Sequence, residues 1–175
     1  MITVRAFRVC PEAVLPQYST AESACFDISA CLIDDERILM VDRFNAQMGR
    51  SRIQRGRFTL FPNTRALIPT GLIFDIPQGW SLRIHPRSGL AFKKGISLAN
   101  CEGIVDSDYF HQTFVAIYNT TEHEFVVNHG DRIAQGELVQ VEKVTFEVTD
   151  QPPLPRSERA GGFGSTGIDL ETTHD

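Results

Sequence analysis

Hydrophobic and polar positions alternate along most of this chain in short runs that punctuation residues cut off. Residues 2–9 alternate loosely and are rich in β-formers, whereas residues 57–61 alternate strictly and stop at Pro62. Residues 67–69 and 72–76 are bounded by Pro and Gly, and residues 80–84, 113–118, 124–127 and 137–148 continue the pattern. Short runs of this kind with turn residues between them predict strands, and their spacing predicts an all-β sandwich or barrel-like fold. A 3.6-residue period is sustained only over residues 88–94, which predicts one helix of at most two turns.

Two stretches depart from the pattern. Residues 34–57 are dense in charge, with Asp34, Asp35, Glu36, Arg37, Asp42, Arg43, Arg50, Arg52, Arg55 and Arg57. They predict an extended hairpin or a surface loop. After Asp150 the chain turns to Gln-Pro-Pro-Leu-Pro, then Arg-Ser-Glu-Arg, then a Gly-rich run. Such a tail buries too little apolar area to hold itself in place. The expected organisation is a β domain over residues 1–150 and a mobile arm over residues 151–175, joined by a Pro-stiffened spacer.

Composition narrows the class. A chain of 175 residues can bury a core without metal or disulfide staples. A net charge of −5 points away from a nucleic-acid backbone, so positive contacts to any anionic substrate must be local. Cys10, Cys25, Cys31 and Cys101 form no C-x-x-C pair, and no His stands at zinc-ligand spacing from them. They read as free thiols of a reducing compartment. The first residues, Met1-Ile-Thr-Val-Arg, lack a basic segment followed by an apolar one, and no apolar run reaches membrane-span length. The expectation is a cytoplasmic protein with no membrane partner.

Five constellations can carry chemistry. His85-Pro86-Arg87-Ser88-Gly89 opens the helix, placing a guanidinium, a hydroxyl and unpaired backbone amides at one N-terminus, where anions bind. From spacing alone, Ser88 as a simple helix cap is the more ordinary role. In Asn100-Cys101-Glu102-Gly103-Ile104-Val105-Asp106-Ser107-Asp108-Tyr109, an apolar pair leads into two carboxylates and a ring. On a strand Asp106 and Asp108 would share a face, although Asp-Ser-Asp is more often a turn. Gly130-Asp131-Arg132-Ile133-Ala134-Gln135 starts as a turn and continues as a strand. There Arg132 suits a carboxylate partner and Gln135 a ligand. Residues 159–167 combine glycines, which admit close phosphate approach, with the hydroxyls of Ser165 and Thr166. No Lys precedes Ser165, so this is not a Walker A loop, and Phe163 sits oddly in a mere linker. Ser23-Ala24-Cys25-Phe26-Asp27-Ile28 reads alone as a strand with one acidic residue.

Taken in order, these segments resemble the five motifs of the trimeric dUTP diphosphatase (dUTPase) family, at residues 24–30, 86–95, 100–109, 130–135 and 159–167. The resemblance spans essentially the whole chain. It implies a dUTPase-like β-clip, a distorted jelly-roll barrel, and hydrolysis of dUTP to dUMP and diphosphate by water attack on the α-phosphorus. It makes Asp106 the general base and Tyr109 the ring under the deoxyribose. Asn100, Gly103 and the backbone of Ile104 and Val105 become the hairpin that reads uracil. Arg87, Ser88, Gly89 and Gln135 become phosphate contacts. Phe163 would stack on uracil while Arg159, Gly164, Ser165 and Thr166 close on the β- and γ-phosphates. Mg²⁺ would be held by the triphosphate, with no direct protein ligand and with Asp27 acting through water. The resemblance also implies a homotrimer whose three sites each draw on several subunits.

Several positions depart from the family pattern. Cys25 stands where Gly is usual, Phe110-His111 replaces a segment that commonly ends in Gly, and Gly136 follows Gln135 where an apolar residue is usual. One residue fewer than usual separates Arg159 from the double glycine, so Arg156 is an alternative γ-phosphate contact. Residues 34–57 exceed the usual link between the first two motifs and read as a surface extension, or less readily as a partner-binding element. Two other functions stand beside dUTP hydrolysis. A dCTP deaminase or bifunctional relative would carry Arg-Ser-Ser in place of Arg87-Ser88-Gly89 and needs a Glu that has no evident position here. A dUTPase-like regulatory binder would use the 34–57 extension.

Overall fold

The structure is a computed structural model that describes residues 2–157, with residues 49–51 described by their backbone alone. In chain order the first strands are β1 (Arg5–Arg8), β2 (Gln17–Tyr18), β3 (Phe26–Ser29), β4 (Arg37–Val41) and β5 (Gln47–Arg52). Then come β6 (Arg57–Leu60), β7 (Arg65–Pro69), β8 (Leu72–Asp75), β9 (Trp80–His85) and the helix α1 (Ser88–Lys94). The last are β10 (Ile96–Leu98), β11 (Gly103–Val105), β12 (Phe114–Asn119), β13 (Phe125–Asn128) and β14 (Arg132–Gln140). Two five-stranded sheets, ordered β10-β12-β7-β4-β5 and β11-β9-β14-β3-β2, carry most of the fold, and β1-β8 and β13-β6 form two-stranded ribbons. All the pairings are antiparallel.

The two-residue period of the sequence becomes the inside and outside of these sheets. Phe58 and Leu60 of β6, Ala66 and Ile68 of β7, and Val115 and Ile117 of β12 point inward and are buried. They join Ile28, Leu72, Leu82 and Ile84 in one core. The helix occupies the residues that the sequence predicts and ends at Gly95, which takes a left-handed conformation (φ 64°). That geometry favours glycine at a helix C-terminus.

Two expectations need correction. Residues 34–57 are more than a surface extension. Strands β4 and β5 form a hairpin, β4 continues the sheet beside β7, and Ile38, Met40 and Ile53 are buried in the core. The charges obscure this in the sequence because most of them, Asp34, Asp35, Glu36, Asp42, Arg43 and Arg55, stand in the turns that flank the two strands. The strand expected over residues 137–148 instead runs over Arg132–Gln140. It begins early because Arg132 already pairs with Ser29 of β3, and it ends at Gln140 because its other partner, β9, begins opposite at Trp80. Val141 makes the final backbone bond, to the carbonyl of Gly79 at 2.8 Å.

One compact unit ends at Glu142, and Lys143 opens a second. Residues 143–157 carry no helix or strand. Within them Val144, Phe146 and Val148 are exposed, and the Thr149 hydroxyl donates to the carbonyl of Gln151.

Candidate active site

Three residues from adjacent strands stand abreast on one face of the second large sheet. Gln135 of β14 pairs with Asp27 of β3 on one side and with His85 of β9 on the other. Cross-strand partners share a face, so residues 108 positions apart become neighbours here. A register shift between Arg132 and Ala134 precedes this row and lets Arg132 also reach Asp27.

Asp27 is the hub. One carboxylate oxygen accepts from Arg87 Nε at 3.1 Å, and the other accepts from Arg132 Nη1 at 3.0 Å and from the Ser19 hydroxyl at 2.9 Å. Arg87 also donates from Nη1 to the carbonyl of Arg132 at 2.8 Å. Gln135 Nε2 donates to the carbonyl of Pro86 at 3.0 Å, which ties β14 to the turn that enters the helix. Arg87 is the residue that caps α1; it is extended (φ −89°, ψ 127°) and makes no side-chain cap bond. Ser88 is therefore the first helical residue and not the cap. The first turn itself carries no acidic side chain, and the one carboxylate that lines the cleft beside it, that of Asp27, is neutralised by Arg87 and Arg132.

These residues surround a cleft of about 420 Å³ lined by Asp27, Arg87, Ser88, Gly89 and Gln135 together with Ser19, Ser23, Ala24 and Cys25. A Cβ at Gly89 would meet no protein atom within 4 Å, so the space beside it is open to a ligand. The Cys25 thiol on the wall is pushed above its ordinary range, first by burial and then by the Glu137 carboxylate. It stays protonated and adds no charge to the cleft.

A second group of expected residues lies on the other edge of the sheet. Strand β11 pairs with β9, Gly103 opposite Ile84 and Val105 opposite Leu82. A Cβ at Gly103 would come within 3.1 Å of Ile84 Cβ, so the close approach of the two strands favours glycine. Cys101 takes a left-handed conformation (φ 59°), and Glu102 N–H donates to the carbonyl of Asn100 at 2.6 Å, giving a tight turn with Asn100 exposed at its tip. Val105 is buried and Ile104 is exposed. Asp106 and Asp108 follow the end of the strand in a turn closed by Tyr109 N–H to the Asp106 carbonyl at 3.2 Å. They do not share a strand face. The Tyr109 hydroxyl donates to the Gln112 carbonyl at 3.1 Å, and its ring meets His111 edge-on. Asp106 is exposed.

Within one chain, then, Asp27, Arg87, Ser88, Gly89 and Gln135 share a cleft, and none of Asn100, Gly103, Ile104, Val105, Asp106 or Tyr109 lines it. The expected phosphate-closing residues Arg159, Phe163, Gly164, Ser165 and Thr166 lie outside the described residues, whereas Arg156 is described and exposed.

The family is decided by likeness across the chain. Residues 54–167 match the dUTPase family. A deoxyuridine 5'-triphosphate nucleotidohydrolase of Brucella melitensis biotype 2 is 38% identical over 154 residues, covering 87% of this chain and 84% of that protein. The chain belongs to the dUTPase family. The enzyme of the same name from Brucella suis biovar 1 shows the same 38% identity over the same span. Two solved dUTPases share the fold. One, from Staphylococcus bacteriophage 80alpha, aligns with a TM-score of 0.74 at 18% identity, covering 96% of this chain and 100% of its own. The other, from Streptococcus mutans, aligns with a TM-score of 0.63 at 22% identity, covering 82% and 98%.

Against that family pattern, one departure has a packing explanation. A Cβ at Gly136 would come within 2.8 Å of Phe26 Cε2 and 3.0 Å of both Ile28 Cδ1 and Leu82 Cδ1. The Phe26 ring occupies the space that a side chain at this position would need. The sequence reading missed Ser19, which completes the shell of Asp27, and a polar group between the two half-sites. His85 Nε2 lies 3.1 Å from Glu137 Oε1, His85 Nδ1 lies 3.6 Å from Glu102 Oε1, and Arg83 donates to Glu102 at 3.0 Å. The signal for that group was present, since Ser81, Arg83 and His85 are the polar alternates of β9.

Proposed function

We propose that this chain hydrolyses dUTP to dUMP and diphosphate by attack of water on the α-phosphorus, limiting uracil incorporation into DNA and supplying dUMP for dTTP synthesis. Membership of the dUTPase family supports the activity. The observation that carries the site assignment is the cleft that gathers Asp27, Arg87, Ser88, Gly89 and Gln135 from sequence positions far apart. It offers a guanidinium, a hydroxyl, an amide and helix N–H groups to an anion, and a local anion site is what a chain of net charge −5 needs for such a substrate.

In this reading, Arg87, Ser88 and Gln135 hold the phosphates and stabilise the charge that develops as the α–β bridge breaks. Arg87 leaves Asp27 to do so, and Arg132 continues to neutralise the carboxylate. The hairpin around Gly103 presents Asn100 and the backbone of Ile104 and Val105 to the uracil edge. A site built to pair with that edge rejects cytosine, because its polar groups would be left unpaired. Tyr109 packs under the deoxyribose and excludes a 2′-hydroxyl. Asp106 takes the proton of the attacking water, and its exposed carboxylate is free to receive it.

The two half-sites are separate in one chain. That separation supports a homotrimer in which the hairpin of one subunit completes the phosphate cleft of another. The Gly-rich segment, with Arg159, Phe163, Gly164, Ser165 and Thr166, closes over the triphosphate. Asp27 directs both oxygens to Arg87, Arg132 and Ser19, and the departure of Arg87 to a phosphate would free one of them. In this reading Mg²⁺ is carried on the triphosphate, and the freed Asp27 oxygen would accept from its waters. Bound there, Mg²⁺ would withdraw charge from the diphosphate leaving group.

Assaying pyrophosphate and ammonia release from dUTP, dCTP, dTTP and UTP tests the proposal. Pyrophosphate from dUTP alone, without ammonia, is the expected result. Ammonia from dCTP would transfer the chain to the deaminase branch of the fold.

A further inference from the structure

We propose that Cys10 and Cys31 are a covalent modification site, which a peroxide converts to an intramolecular disulfide joining the β1–β2 connection to the segment that follows β3. The two Sγ atoms lie 2.7 Å apart across 21 positions of sequence. Closing that gap to a bond of about 2.05 Å requires movement of well under 1 Å.

The backbone holds the pair in register from both sides. Val9 N–H donates to the Gly71 carbonyl at 2.8 Å, and Cys31 N–H donates to the Pro69 carbonyl at 2.8 Å, so both segments hang on the same turn. Ala13 N–H returns to the Cys10 carbonyl at 3.2 Å, and Arg8 Nε donates to the Ala13 carbonyl at 3.0 Å, which fixes the loop that presents Cys10. Gly71 is left-handed (φ 70°), and a Cβ there would come within 2.7 Å of Cys31 Sγ. The turn can pass beneath the sulfur pair only because that position has no side chain.

The two thiols differ in the way the chemistry requires. Cys31 is buried, whereas Cys10 is only partly so and offers the route of entry. The Cys31 thiol is pushed up to about 12, first by burial and then by its hydrogen bond to Cys10. Cys31 therefore keeps its proton, and the less buried Cys10 is the sulfur that a peroxide reaches first. Cys10 sulfur attacks one peroxide oxygen, the O–O bond breaks, and the departing hydroxide takes up a proton as water, leaving a sulfenic acid. Cys31 sulfur then attacks Cys10 sulfur. The S–S bond forms, the S–O bond breaks, and the Cys31 proton leaves with the hydroxide as a second water. Two thiols lose two electrons in all, and the peroxide gains them.

Cys25 and Cys101 serve as internal controls. The full-length protein is treated with hydrogen peroxide at one equivalent per pair, quenched with catalase, alkylated after denaturation and mapped by peptide mass spectrometry. The expected product is a Cys10–Cys31 cross-linked peptide lighter by two hydrogens, with Cys25 and Cys101 recovered alkylated and the bond reopened by a dithiol. Cys10→Ser and Cys31→Ala should each abolish that peptide. Recovery of Cys10 and Cys31 as free thiols or as separate sulfinic acids would overturn the proposal, as would a disulfide to Cys25 or Cys101. The mapping is made on the unsubstituted chain, so its outcome does not depend on how either variant folds.

Discussion

Asp27 and Arg87 hold each other at 3.1 Å across the mouth of the cleft, although 60 positions separate them in the sequence. A guanidinium parked on a carboxylate is placed without being left bare. Transfer of Arg87 to a phosphate leaves Asp27 still paired with Arg132. Arg87→Ala should therefore lower kcat/KM for dUTP by about 10²–10³, the scale for losing one donor to developing charge. Arg87→Lys should recover little of it, because a point charge does not reproduce the two-pronged contact. Steady-state pyrophosphate release from both variants checks this.

Asp106→Asn should reduce kcat by about 10²–10⁴, the range for losing a general base, while dUTP still binds. Pairing turnover with calorimetric titration of a non-hydrolysable dUTP analogue separates the two effects. Full turnover in this variant would remove Asp106 from the mechanism.

Gly136→Ala should destabilise the fold by about 1–3 kcal/mol, because the new methyl group meets the Phe26 ring and Ile28 at overpacked distances. Phe26→Leu in the same chain should restore part of that loss. A double-mutant cycle by urea denaturation gives the coupling, and additive effects would show that the ring is not the obstacle.

The β4–β5 hairpin should tolerate change at its tip and not at its base. Phe44 is exposed, with Arg43 over its ring, so Phe44→Ser should leave stability nearly unchanged. Met40→Ala removes a fully buried side chain and should cost about 2–5 kcal/mol. For the same reason, deleting residues 34–57 should unfold the chain and abolish turnover. A folded and active deletion variant, detected by circular dichroism and assay, would refute the core role of this hairpin.

Alkaline stability should depend on Cys31. Its folded thiol is raised from 9.0 to about 12, so the folded state favours the protonated form relative to the unfolded chain. That contribution is complete below about pH 9 and is lost as pH rises toward about 12. Under reducing conditions, the melting temperature of the wild type should fall more steeply with pH above 9 than that of Cys31→Ala. Parallel curves would show that the thiol is not linked to folding.

The sequence by itself determined the β character of the fold, the position and length of helix α1, and the identity of the motif residues. Those follow from local physics: two-residue alternation, turn residues, and the backbone needs of Pro and Gly. The likeness of five ordered motifs carried the family. Only the tertiary structure decided which of those residues meet. Asp27, His85 and Gln135 stand abreast because β3, β14 and β9 pair in one register, and no local pattern encodes which strands pair. The same holds for the core role of Ile38 and Met40, hidden among charges until β4 lies beside β7. It holds also for the end of β14, set by where its partner begins, and for Gly136, whose missing side chain makes sense only against the Phe26 ring.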